Sequence, residues 1–383
     1  MQKCEFENII KIIKNQFKTE EFIPLHEPRF NGNEKKYVLD CIDSTFVSSV
    51  GKYVDQFEKM VADYTGAKYA IATVNGTAAL HIALLLSGVS ENTEVITQPL
   101  TFVATCNAIS YCNAFPTFID INKETLGLCP EKLEHFLKHS TKKTSKGVIN
   151  IHTKRIISAC LPMHTFGHPA KIDQIVSLCT KYDIPVIEDA AESLGSTYKN
   201  QHTGSFGLFG TFSFNGNKTI TTGGGGMIIT NDEILAKKAK HITTTAKVPH
   251  RWDYFHDEIG YNYRLPNINA ALGCAQMEQL GLFIKAKRQL ATSYQDKLTQ
   301  DLVSFFTEPK YCESNYWLNC LLFKEKNNRD IFLHMSNNNN VMTRPCWTLM
   351  NKLSMFKDSY SADLTNSEYI SNCLVNIPSS VLL

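Results

Sequence analysis

The sequence predicts an α/β protein: a large domain on a mostly parallel central sheet, then a smaller C-terminal α+β domain. Three observations predict it. Short β-rich runs alternate with segments of helical spacing, the pattern of strand–helix–strand units covered on both faces. The alternation stops near Pro266, where a long helical stretch begins. The chain has 383 residues, more than one core usually holds.

In chain order, residues 1–30 read as an N-terminal arm. Residues 68–74 read as a strand and 77–87 as the helix after it. Further strands are expected at 94–97, 116–121, 155–160 and 185–188. Between the last two, Ile172, Ile175, Val176 and Cys179 fall at helical spacing within 171–182. Right-handed crossovers would gather the loops at the strand C-termini on one edge, where α/β enzymes bind ligands. Residues 269–297 read as one helical stretch, 316–323 as a strand, 330–337 as a helix and 337–340 as a polar turn. The domain boundary is therefore set between 1–265 and 266–383.

Composition excludes several classes. Hydrophobic residues make up 43% and charged residues 20%, as in soluble globular proteins. A formal charge of +2 offers no basic field for nucleic acid. No N-terminal stretch resembles a signal peptide. The longest apolar run, around 78–86, contains His81 and is too short to span a bilayer. A cytoplasmic protein without membrane or nucleic-acid partners is expected. The twelve cysteines are scattered with no Cys-x-x-Cys pair, which reads as reduced, mostly buried thiols and no metal site.

Three segments carry chemistry. In Asn75-Gly76-Thr77-Ala78 a strand gives way to a helix, whose first N–H groups suit an anion; an ordinary N-cap threonine accounts for the same residues. In Glu188-Asp189-Ala190-Ala191-Glu192 an acid ends a buried strand at the ligand edge. Asp189 fits the carboxylate that pyridoxal phosphate needs beside its ring nitrogen, and equally a helix N-cap. In Ser213-Phe214-Asn215-Gly216-Asn217-Lys218 a strand leads through a Gly/Asn turn to a lone lysine, followed by Gly223 to Gly226. A lysine that attacks carbonyls must be partly desolvated, and no other cation lies next to Lys218 in sequence. Ser213 is placed to donate to a phosphate, and the glycines let backbone approach a ligand. The run lacks dinucleotide-binding or Walker spacing.

The order and spacing of these segments resemble the DegT-type sugar aminotransferase family, a branch of the fold-type I pyridoxal-phosphate enzymes. The likeness runs from about Ile23 to the end. It also rests on Asn31-Gly32-Asn33-Glu34, Val47-Ser48-Ser49-Val50-Gly51, Gly76-Thr77-Ala78-Ala79-Leu80-His81, Pro99-Leu100-Thr101-Phe102 and Gly260-Tyr261-Asn262-Tyr263-Arg264.

The resemblance implies a pyridoxal 5'-phosphate enzyme with the cofactor carried on Lys218. Asp189 pairs with the ring nitrogen and Phe102 stacks on the ring. Gly76, Thr77, Ala78 and Ser213 hold the phosphate. Glu192 falls near the ring hydroxyl, where the family often has Gln or His. Asn262, with Arg264 beside it, reaches the phosphate site of the neighbouring subunit, which implies a homodimer with shared active sites. Gly224 stands where many members have Glu, read as a specificity variant. Arg344 is a candidate for a substrate diphosphate and His164 for the pocket wall; a surface ion pair and a structural histidine are the competing readings. The segments 22–28 and 255–264 resemble the subgroup acting on nucleotide-linked 4-keto-6-deoxy-2-acetamido sugars, on the way to bacillosamine-, legionaminate- or perosamine-like sugars. The implied reaction transfers the amino group of L-glutamate to the keto sugar. The alternatives are a dehydratase, against which the intact Lys218 argues, a 3-keto sugar aminotransferase, or a non-catalytic sugar-nucleotide-binding regulator.

Overall fold

The computed structural model of the protein describes residues 2–299 and 301–383. Its helices are α1 (Gln2–Phe17), α2 (Glu34–Asp43), α3 (Lys52–Thr65), α4 (Gly76–Leu86), α5 (Val103–Tyr111), α6 (Pro130–His139), α7 (Ile172–Thr180), α8 (Glu233–Thr243), α9 (Asn267–Met277), α10 (Leu280–Lys297), α11 (Lys326–Asn338) and α12 (Thr365–Cys373). The strands are β1 (Tyr69–Thr73), β2 (Glu94–Thr97), β3 (Phe115–Phe118), the hairpin β4 (Thr141–Thr144) and β5 (Gly147–Asn150), β6 (Ile156–Leu161), β7 (Ile187–Asp189), β8 (Thr197–Tyr198), β9 (Gln201–His202), β10 (Phe209–Ser213), β11 (Gly226–Thr230), β12 (Val303–Phe305), β13 (Cys312–Glu313), β14 (Asn319–Phe323), β15 (Arg344–Pro345) and β16 (Leu374–Ile377).

The main sheet runs β1-β11-β10-β7 and continues through β6-β2-β3. Parallel bridges Cys160–Val186 and Met163–Asp189 join the two halves. β11 is antiparallel to both its neighbours, and β10–β7, β6–β2 and β2–β3 pair in parallel. The sheet is thus mostly parallel, as expected. Every residue of β2 and β11 is buried, as for strands covered on both faces. α4 is buried nearly all round, from Ala78 to Leu84, because it packs on β10, β11 and α5 together.

A second, antiparallel sheet, β12-β14-β16-β15, closes the C-terminal region. Its core takes Leu290 and Tyr294 from α10, Phe332 from α11, and Phe6, Ile9, Ile10 and Ile13 from α1. The N-terminal arm is therefore packed down on the C-terminal sheet. It continues along the segment after β16: Ser379 N donates to Leu25 O at 2.7 Å, and Glu27 N to Ser380 Oγ at 3.0 Å. α9 packs instead in the core of α2 and α3, with Ala270, Ala271 and Cys274 against Cys41, Val54 and Phe57.

Two expectations change in detail. The stretch 269–297 is two helices, broken at Glu278 and Gln279, where Glu278 turns to accept from Tyr37 Oη at 2.6 Å and Asn33 Nδ2 at 2.8 Å. The strand expected over 316–323 starts only at Asn319, because Tyr316 takes a left-handed φ of 47°. Eleven cysteines are buried and Cys4 is exposed. Among the described residues, no helix is long and apolar enough to cross a membrane.

Candidate active site

A cavity of about 340 Å³ opens where β1, β7 and β10 end and α4 begins. This is the ligand edge that parallel topology provides. Gly76, Thr77, Phe102, Asp189, Glu192, Ser213 and Lys218 all line it. They come from segments far apart in the chain and meet only through the sheet order.

The rim at α4 is a turn with little room. Asn75, in extended conformation, caps the helix by accepting from Ala78 N at 2.7 Å. The capping role considered for Thr77 thus belongs to Asn75, and the N–H of Ala78 is engaged there. Thr77 faces the cavity, with the first-turn N–H groups of Gly76 and Thr77 lacking helical acceptors. A Cβ on Gly76 would meet Ser213 Cβ at 2.8 Å, so only glycine lets Ser213 sit this close to the turn.

β7 splits its two acids by strand alternation. Glu188 points away from the cavity and accepts from the backbone N–H of Gly204, Phe206 and Gly207 at 2.7–2.8 Å. Asp189 points into the cavity at 2% exposure. Its Oδ2 accepts from Thr105 Oγ1 at 2.7 Å and its Oδ1 from Ala191 N at 3.2 Å. Burial raises its carboxyl above the ordinary aspartate value, with Thr105, Ala191 and Lys218 pulling the other way.

Lys218 sits beyond the Asn215 turn with its side chain 12% exposed. Its Nζ lies 3.1 Å from Glu192 Oε1 and 3.9 Å from the centre of the Trp317 ring. Glu192 Oε2 accepts from Phe166 N at 2.9 Å. Burial pushes the Glu192 carboxyl up to about 7, although Lys218 and the Phe166 N–H both favour its anion. The acid that departs from the expected Gln or His is therefore a group that holds or releases a proton near neutrality.

Ala78, whose N–H is taken by Asn75, does not line the cavity, and four further candidates lie elsewhere. His164 is fully buried and does not line the cavity. Its Nδ1 accepts from Ala170 N at 3.1 Å, so the ring proton sits on Nε2, 2.9 Å from Glu188 Oε2. It braces the back of β7, the structural reading weighed from sequence. Arg344 is on the outer strand β15, exposed, and its Nη1 donates to Asn337 Oδ1 and Thr343 O at 3.3 and 3.1 Å. It faces α11 because the strand turns the following Trp347, not the arginine, into the cavity. Asn262 is exposed, and Arg264 carries a buried Nε with no hydrogen-bond partner among the described residues; neither lines this chain's cavity.

The cavity also has walls absent from the sequence-derived set. Trp347 packs 4.7 Å from Phe166 and 6.0 Å from Phe102 between ring centroids, and Trp317, Thr105, Met163 and Gly225 line it too. Trp347 lies three residues beyond the candidate Arg344. Trp317 carried no local signal toward Lys218.

The donor set fits a phosphorylated pyridine aldehyde. A buried carboxylate, an amine of low exposure, a hydroxyl-and-N–H rim at a helix start and a half-exposed flat ring, Phe102, surround one cavity.

Comparison with known proteins agrees with this chemistry. The model of the DegT/DnrJ/EryC1/StrS aminotransferase family matches residues 28–383. GDP-perosamine synthase of Escherichia coli O157:H7 is 39% identical over 340 residues, covering 89% of this chain and 88% of the relative. GDP-perosamine synthase of Vibrio cholerae is 35% identical over 362 residues, covering 93% of this chain and 94% of the relative. Among solved structures, the Helicobacter pylori aminotransferase PseC, involved in pseudoaminic acid biosynthesis, superposes with a TM-score of 0.84 at 23% identity, over 94% of each chain.

Proposed function

The chain belongs to the DegT/DnrJ/EryC1/StrS aminotransferase family, whose cofactor is pyridoxal phosphate, and on that premise we propose that it moves the amino group of L-glutamate onto the C4 carbon of a nucleotide-linked 4-keto-6-deoxy sugar. The observation that carries the reading is Lys218: a nearly buried amine beside Glu192, in the same cavity as the buried carboxylate of Asp189. The 4-keto position is favoured by the relatives named as GDP-perosamine synthases.

When bound, pyridoxal phosphate supplies the aldehyde that takes up the amino group and the ring that draws electrons from the carbon losing its proton. Lys218 carries it and afterwards serves as proton carrier. Lys218 Nζ would take the α-proton of the amino donor and pass it to the cofactor's C4′, and in the second half-reaction would return a proton from that atom to sugar C4. Asp189, held at a fixed angle by Thr105 and Ala191, would pair with the ring nitrogen and keep it protonated. Gly76, Thr77 and Ser213 would hold the phosphate, and Phe102 would cover the ring. Glu192 Oε1 accepts from Lys218 Nζ and orients it.

The cradle is completed by a second subunit. Asn262 and Arg264 reach into the partner's phosphate site in a homodimer. Supporting this, Asn262 is exposed outside its own cavity, and exposed large apolar side chains cluster on the loops at 46–50 and 252–259, including Val50, Trp252, Tyr254 and Ile259. The reaction is tested by assaying amino-sugar product from glutamate against UDP-, GDP- and dTDP-linked 4-keto sugars. Product with none of them, from protein loaded with cofactor, would sink the substrate class.

A further inference from the structure

Lys218 Nζ has two close neighbours, a carboxylate and an aromatic face. Glu192 Oε1 is 3.1 Å away and the Trp317 ring centre 3.9 Å away. Trp317 is 4% exposed and tightly held. Its Nε1–H donates at 2.7 Å to Asn217 O, the carbonyl just before Lys218. Its backbone N donates to Asn315 Oδ1 at 2.7 Å, and its backbone O accepts from buried Lys287 Nζ at 3.2 Å. Asn315 Nδ2 donates in turn to Glu192 O at 2.8 Å. One short C-terminal segment thus fixes both neighbours of the lysine nitrogen.

The two neighbours differ in kind. Glu192 is a counter-charge that titrates: burial pushes its carboxyl up to about 7, so near neutrality it is an anion only part of the time. The face of an indole attracts an ammonium through its quadrupole, most strongly where water is excluded, and this attraction does not titrate. Among the described residues, the titratable groups around this corner also include Asp189, His26, Lys287 and Cys320.

We propose that Trp317 is a positioning residue for Lys218, seating its free amine in the cavity as an ammonium, ready to give up a proton. The catalytic meaning rests on Lys218 being the cofactor lysine; the seat itself does not. Two substitutions separate the contacts. Trp317→Phe keeps a ring face, though a weaker one, and loses the N–H to Asn217. Trp317→Leu loses both.

The test uses the cofactor-free protein. Wild type and both variants are labelled with a trace acylating reagent across a pH series, and Lys218 modification is read by mass spectrometry against exposed Lys35. Greater access would scale the rate equally at every pH, whereas a lost seat moves the midpoint. The midpoint for Lys218 should move down by about half a pH unit or more in Trp317→Leu, roughly threefold more labelling below it, and by less in Trp317→Phe. An unmoved midpoint in folded Trp317→Leu overturns the proposal. Should that variant not fold, an unmoved midpoint in Trp317→Phe overturns it instead. Borohydride trapping of the cofactor on another lysine would remove the reading of Lys218 and leave the labelling result standing.

Discussion

Thr105 Oγ1 donates to Asp189 Oδ2 at 2.7 Å, and Thr101 Oγ1 lies 2.6 Å behind it. With Ala191 N on Oδ1, the carboxylate of Asp189 is fixed at the floor of the cavity before any ligand arrives. Preorganisation of this kind is what makes a buried charge effective in catalysis.

Asp189→Asn should therefore keep the fold and some cofactor while losing most of the rate. An amide is similar in shape but cannot hold a ring proton. Loss of one strong electrostatic contact costs about 3–4 kcal/mol of barrier, roughly a hundred- to a thousandfold in kcat. Steady-state rates of purified variant and wild type decide it; a near wild-type kcat removes Asp189 as the ring partner.

Lys218→Ala should abolish turnover and leave the protein folded, since its side chain ends on a cavity and carries little packing. Borohydride reduction of cofactor-loaded wild type should leave the label on the peptide containing Lys218. A label found by mass spectrometry on Lys287, the other buried lysine nearby, would reassign the site.

Much of this was legible because strand ends announce themselves. Asp189 ends a short apolar run, and Lys218 follows the turn after another, so their place at the ligand edge follows from the alternation of strands and helices. That Asp189 and not Glu188 faces the cavity depends on strand parity, which motif order hinted at and packing decides. The sequence left two readings each for His164 and Arg344, because it places a residue on an element, not the direction it faces. One lies behind β7 and the other toward α11. Trp317 was illegible for a further reason. Its approach to Lys218 depends on the left-handed Tyr316 before it and on contacts between segments distant in sequence. The break at Glu278 likewise arises from a tertiary contact, to Tyr37 and Asn33 of the N-terminal region.

Lys287 links stability to pH. It is buried, donates to Ser379 O at 2.6 Å and Trp317 O at 3.2 Å, and burial pushes its amine down to about 7 from the ordinary 10.5. A base with a depressed folded value favours the fold fully above its unfolded value, and loses that contribution as pH falls through the folded one. The window is thus from 10.5 down to about 7. Across it, stability should decline with falling pH by up to about 1.4 kcal/mol per unit from this group. Lys287→Met should flatten that part of the slope. Urea unfolding of both proteins at several pH values between these limits measures the difference; parallel slopes would show that the lysine is not the cause.

The shared site makes the most discriminating prediction. Asn262 is exposed and absent from its own cavity wall, while Lys218 lines it, so in the proposed dimer each complete site takes Lys218 from one chain and Asn262 from the other. Lys218→Ala and Asn262→Ala should each be weak alone. In a mixed dimer, twofold symmetry pairs both defects in one site and leaves the other with both residues intact. At random pairing half the dimers are mixed and each has one working site, so activity should recover to about a quarter of wild type. Subunit exchange is verified with differently tagged chains, and activity is measured before and after. No recovery after proven exchange, with both parents severely impaired, would put Asn262 in its own chain's site and remove the argument for a composite dimer.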